Sequence, residues 1–90
     1  MERRVGVIAV FIDQEADIPT LNQLFTQYSS IILGRMGLPI HSKHINVISL
    51  IVCGTTDEIG ALTGKLGKIS GIQVKSVLTR SKEIENDQTQ

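Results

Sequence analysis

The sequence predicts an α+β sandwich, a four-stranded antiparallel sheet with two helices on one face. Three observations carry this expectation. Two long runs, Val5 to Ile12 and Ile45 to Cys53, are apolar at nearly every position; two other stretches repeat apolar residues at helical spacing; and the elements follow in the order strand, helix, strand, strand, helix, strand. A chain of ninety residues makes one domain and buries only about 60 to 65% of the surface its unfolded form exposes. A domain this small is expected to gain stability from a partner.

Val5 to Ile12 is rich in β-branched residues and too short for a typical helix, so it reads as a buried first strand. Asp17 is placed to cap a helix that carries Pro19 in its first turn. Ile18, Leu21, Leu24, Phe25, Tyr28 and Ile32 recur at helical spacing and give that helix one apolar side. Ile31 to Leu38 reads as a second strand, bulged or closely approached by another backbone at Gly34 and Gly37, with a connection at Pro39 to Lys43. Ile45 to Cys53 is the third strand, ended by Gly54. Thr55 and Glu58 have the spacing of a capping box and open the second helix, which Gly71 is expected to close in a left-handed conformation. From Ile72 to Arg80, Ile72, Val74 and Leu78 alternate with Gln73, Lys75 and Thr79, the pattern of a strand with one wet face. The folded domain is thus expected over residues 1–80 and a flexible polar tail over 81–90.

This order is that of the ferredoxin-like split βαβ arrangement, and it has a consequence for association. Its two helices can cover only one face of the sheet, yet the first and third strands, which would be central, are apolar on both. Val5, Val7, Ala9 and Phe11 oppose Ile8, Val10 and Ile12; Ile45, Val47 and Ile51 oppose Ile48, Leu50 and Val52. The uncovered face is expected to meet another copy of the chain, in a homodimer or homotetramer.

Charge and composition narrow the function classes. Nine basic and nine acidic residues cancel without forming blocks, and the three aromatics (Phe11, Phe25, Tyr28) do not interleave with basic runs. Neither an electrostatic footprint for nucleic acid nor a stacking platform is present. One cysteine, Cys53, excludes an internal disulfide and fits a reducing compartment. The apolar run after Met1-Glu2-Arg3-Arg4 is eight residues long, meets Asp13 and lacks a small-residue cleavage site, so it reads as a strand rather than a secretion signal. No run reaches the roughly 18 apolar residues of a membrane span. A cytoplasmic protein that uses no membrane is expected.

The second helix has an unusual face. Ile59, Leu62, Leu66 and Ile69 form its apolar stripe, whereas Gly60, Gly64 and Gly67 form another, roughly 150° away at 100° per residue. Each glycine inside a helix costs about 1 kcal/mol relative to alanine. Either these glycines drifted onto a solvated face, or they let another backbone or a ligand come close; on the second reading, Gly64→Ala weakens stability, assembly or ligand binding. Arg35 could grip a carboxylate or stand as a solvated residue of an edge strand, and Gly37 belongs with it as a ligand or interface position. His41 and His44 are the only histidines. Two ligands fall short of the three or four protein ligands of a typical metal site, so no cofactor or metal is expected, with a metal-responsive module using His41 and His44 as the alternative. Cys53 lacks a nearby base, and Asp57 and Glu58 already occupy the first turn of the second helix, where a phosphate would meet repulsion. No catalytic residues are expected.

The segment IGALTGKLGKISGIQVKSV at 59–77, together with GRMGLP at 34–39, resembles a small family of iron-only hydrogenase system regulators. The likeness runs from about Arg3 to Arg80. The family is short and ACT-like, and similar in fold to the C-terminal sensing domain of the nickel-responsive repressor. The resemblance implies a regulatory or sensing role in hydrogenase expression or maturation, without an established ligand; a structural adaptor for hydrogenase assembly factors is a further alternative. Two features of that repressor are not expected here. With about four residues before the first strand, its DNA-binding ribbon-helix-helix is not expected, and His41, His44 and Cys53 do not reproduce the spacing of its nickel ligands.

Overall fold

A computed structural model describes residues 2–79 of the chain. The elements are β1 (Arg4–Asp13), α1 (Ile18–Gln27), β2 (Ile32–Ile40), β3 (Ile45–Gly54), α2 (Thr56–Gly67) and β4 (Ile72–Leu78), with a short 3-10 turn at His41–Lys43. The four strands form one sheet in the order β2-β3-β1-β4, every neighbouring pair antiparallel. The two continuously apolar strands are therefore the central ones, as their composition requires.

Both helices pack on one face. Ile8 and Val10 of β1 and Leu50 and Val52 of β3 are fully buried there, against Leu21, Leu24 and Phe25 of α1 and Ile59, Leu62 and Leu66 of α2. Register keeps this face consistent across the sheet: Val10 lies opposite Ile48 on one side and Val74 on the other. The ends of the helices are set by local chemistry. Asp17 caps α1, its Oδ1 accepting from the Thr20 N–H at 3.2 Å. At α2 the capping box is complete, with Glu58 N–H donating to Thr55 Oγ1 at 3.1 Å and Thr55 N–H donating to Glu58 Oε1 at 2.8 Å.

Several boundaries differ from the sequence expectation. The apolar spacing that carried α1 through to Ile32 spans two elements. α1 ends at Gln27, the N–H groups of Ile31 and Ile32 turn back to the carbonyls of Tyr28 and Ser29, and Ile32 begins β2. That strand continues through Pro39 to Ile40 because β2 is an edge strand, where a missing N–H on the open side costs no ladder bond. Its register shifts between Ile32 and Gly34, the irregularity that the glycines suggested.

α2 ends at Gly67 rather than beside Gly71. Lys68 and Ile69 donate to carbonyls three residues back and tighten the chain into turns. Gly71 does take a left-handed φ of +80°, but in the turn into β4. There its carbonyl accepts from Asp13 N–H at 2.9 Å, and a Cβ would stand 2.9 Å from the Cα of Ala16. Glycine is required at this position by φ and by space together. β4 stops at Leu78, although Thr79 still bonds the Val5 carbonyl through its N–H and its hydroxyl. Arg80 and the tail expected at 81–90 lie outside the described residues.

Candidate functional site

The sheet face opposite the helices carries no other element of the described chain. Alternation sends Val7, Ala9 and Phe11 of β1 and Val47 and Ile51 of β3 to it, and the edge strands add Met36 and Leu38 from β2 and Val77 from β4. Phe11 is 36% exposed, Ile51 40%, Leu38 60% and Met36 73%. β4 also places Gln73 and Lys75 on this face, so its apolar centre has a polar margin on the β4 side. Four strands about 4.8 Å apart and roughly 25 Å long span about 500 Å². Ser49, Gln73 and Lys75 occupy part of that area, and the apolar remainder is of the few hundred Å² reached by the largest patch on a monomeric protein.

The glycine stripe lies elsewhere. Gly60, Gly64 and Gly67 are exposed; a Cβ on Gly60 or Gly64 would have nothing within 4 Å, and one on Gly67 would meet only Val74 Cγ1 at 3.3 Å. Among the described residues, no backbone outside α2 approaches the first two. Arg35 projects on the helix side of β2, opposite Leu50, where its guanidinium sits 5.2 Å from the centre of the Phe25 ring. Arg35 is thus a solvated residue of an edge strand, as one of the two sequence readings had it, with a cation–π contact added. Gly37 lies opposite Ile48 and borders an apolar groove with Ile18, Leu21 and Pro39.

His41 and His44 flank the 3-10 turn before β3 and are exposed. His44 closes that turn in a left-handed conformation at φ 58°, the sole non-glycine residue with positive φ among those described. Cys53 is half-buried at the far end of β3, roughly 25 Å away along the strand. The structure therefore separates the histidines from the cysteine. Among the described residues, no three His, Cys, Asp or Glu side chains group where they could hold a metal ion.

At the start of α2, the Glu58 carboxyl is held below its usual range, chiefly by the Thr55 N–H that donates to it. It also pairs with Arg3 at 3.5 Å, and Arg3 donates to the Cys53 carbonyl at 2.7 Å. The helix N-terminus is thus satisfied by the chain's own groups. Among the described residues, no helix is long and apolar enough to cross a membrane.

The TM1266-like family, described as "Iron-only hydrogenase system regulator, putative", matches residues 4–76. The chain belongs to this family. It is 35% identical to the uncharacterized protein TM1266 from Thermotoga maritima, over 88% of this chain and 100% of that one, with a TM-score of 0.82. A formyltetrahydrofolate deformylase from Pseudomonas putida KT2440 shares the fold alone, with a TM-score of 0.56 at 5% identity over 81% of this chain and 28% of the enzyme. No curated protein matches the chain. The family description is that of a regulator, not of an enzyme.

Sequence reading placed the β1 and β3 members of the open face but missed Met36, Leu38 and Val77. In β2 the bulge between Ile32 and Gly34 breaks the alternation on which face assignment depends. In β4 the wet pattern drew attention away from Val77, which stands 73% exposed; its odd position, shared with Gln73 and Lys75, was the available signal.

Proposed function

We propose that this chain is an ACT-like regulatory module of an iron-only hydrogenase system, working in the cytoplasm as a homo-oligomer without catalytic activity of its own, and holding a small ligand between subunits. The observation that carries this reading is the open sheet face. Two copies packed through it would bury about 1,000 Å² in total, near the lower bound of a specific protein interface. The apolar centre and the polar margin at Gln73 and Lys75 match the usual division of such interfaces into core and rim. The family description supplies the hydrogenase context.

The glycine stripe of α2 is the second place at which a copy can come close, because Gly60 and Gly64 leave open space beside the helix. Sheet-face pairing makes a dimer; adding contact through the stripe makes a tetramer. Light scattering on the purified chain at micromolar concentration tests the reading. A dimer or tetramer is expected, and a monodisperse monomer overturns it.

A further inference from the structure

The helical layer carries a cleft of about 370 Å³ between α1 and the end of α2. Gln23 and Gln27 stand on its α1 wall, Lys65 and Lys68 on its α2 wall, and the buried Leu24 and Ile69 form its floor. The charge in it is one-sided. Asp17 borders the cleft, but both its oxygens are taken by Thr20: Oδ1 accepts from the N–H at 3.2 Å and Oδ2 from the hydroxyl at 2.7 Å. No other charged residue lies on α1. Lys65 rests against the Tyr28 ring, its Nζ 5.2 Å from the ring centre. Among the described residues, the side chains of Lys68, Gln23 and Gln27 make no hydrogen bond or ion pair. Two ammonium groups and two amides thus share a cleft without an anion to meet them.

Residues 83–87 of the same chain have the complementary charge. Glu83, Glu85 and Asp87 alternate with Ile84 and Asn86, and in an extended segment residues two apart point the same way, about 6.6 Å from one another. The cleft is within their reach. The last described residue, Thr79, bonds the Val5 carbonyl, next to the Arg4–Gly54 pair that leads into α2. From there Lys68 lies about 18 Å along the helix and about 10 Å across it, whereas the eight residues from Thr79 to Asp87 can extend to about 26 Å. We propose that the acidic segment 83–87 docks in the cleft between α1 and α2 of its own chain, with its carboxylates on Lys65 and Lys68 and its backbone amides on Gln23 and Gln27. Exposed ion pairs are individually weak, but a tether of a few residues holds the segment at an effective concentration of the order of millimolar, so that two or three pairs suffice. The cleft is on the helix side of the sheet, and this docking is independent of association through the open face.

The test uses the full chain carrying Cys53→Ser and Asn86→Cys, with a nitroxide attached at position 86. The backbone amide signals of Gln23, Gln27, Lys68 and Ser70 are expected to lose most of their intensity. Neutralising the segment (Glu83→Gln, Glu85→Gln and Asp87→Asn) or the wall (Lys65→Gln and Lys68→Gln) is expected to restore them, with the far-ultraviolet circular dichroism unchanged. In the otherwise native chain, without a label, neutralising the segment is expected to shift the same four signals. Docking is overturned if these signals keep their intensity, if the loss survives either set of substitutions, or if the shifts fall elsewhere. A mixture of labelled chain with isotope-enriched, unlabelled chain identifies the occupant. Unchanged signals in the enriched chain support docking within one chain, whereas a loss as large as in the labelled chain gives the cleft to the segment of a second copy and overturns the proposal.

Discussion

The two faces of the sheet are built from the same strands and nearly the same residue types, yet they have different fates. On one, Leu50 is fully buried beneath the helices; on the other, its neighbour Ile51 is 40% exposed. Hydrophobicity along a strand therefore reports that both faces need cover but not what covers each. The helices supply cover for one face within the chain. No described element of the chain covers the other, and the difference between the faces separates what stabilises the single chain from what the assembly proposed above would use.

The largest effect is expected on the covered face. Leu50→Ala should destabilise the chain by about 2–5 kcal/mol, through lost burial and the cavity left behind, as read by chemical denaturation. Ile51→Ala, one residue away on the opposite face, should cost well under half as much in the dissociated chain. Equal costs would show that the two faces do not differ as described.

Next in size is a charge on the open face. Ile51→Glu should leave the secondary structure intact but raise the dissociation constant of the oligomer by about a hundredfold or more, because a buried, unpaired carboxylate is strongly disfavoured. Sedimentation analysis reads this directly. An unchanged association constant would remove the open face from the interface.

A smaller effect belongs to the end of α2, which is independent of either face. Thr55→Ala should cost about 1 kcal/mol through loss of the cap. The Glu58 carboxyl is held below its usual range by the Thr55 N–H, so the stability it contributes is present above the ordinary carboxylate range and is lost as pH falls through the folded-state value. Glu58→Gln keeps an acceptor but cannot titrate. The native chain should accordingly lose stability relative to this variant as pH falls from about 5 to 3, and parallel pH profiles would exclude the assignment.

The smallest expected effect concerns the glycine stripe. With nothing within 4 Å of a Cβ at Gly64, Gly64→Ala should stabilise the dissociated chain by a few tenths to about 1 kcal/mol. If a second copy sits on the stripe, the same substitution should lower the melting temperature of the assembled form. The sign, measured above and below the dissociation concentration, decides whether the stripe is a second interface.

The sequence by itself determined the element order, the central position of β1 and β3, the caps at Asp17 and Thr55, and the fact that the sheet carries more apolar surface than two helices can cover. These follow from short-range chemistry: spacing fixes which way a side chain points, and a capping bond forms between residues three apart. Only the tertiary structure decided where α1 gives way to β2, that Arg35 lies over Phe25, that Met36, Leu38 and Val77 join the open face, and that Gln23, Gln27, Lys65 and Lys68 meet at one cleft. The physical reason is register. A bulge of one residue moves a strand's side chains to the other face, and groups far apart in the chain become neighbours only when strands pair and turns bring their ends together.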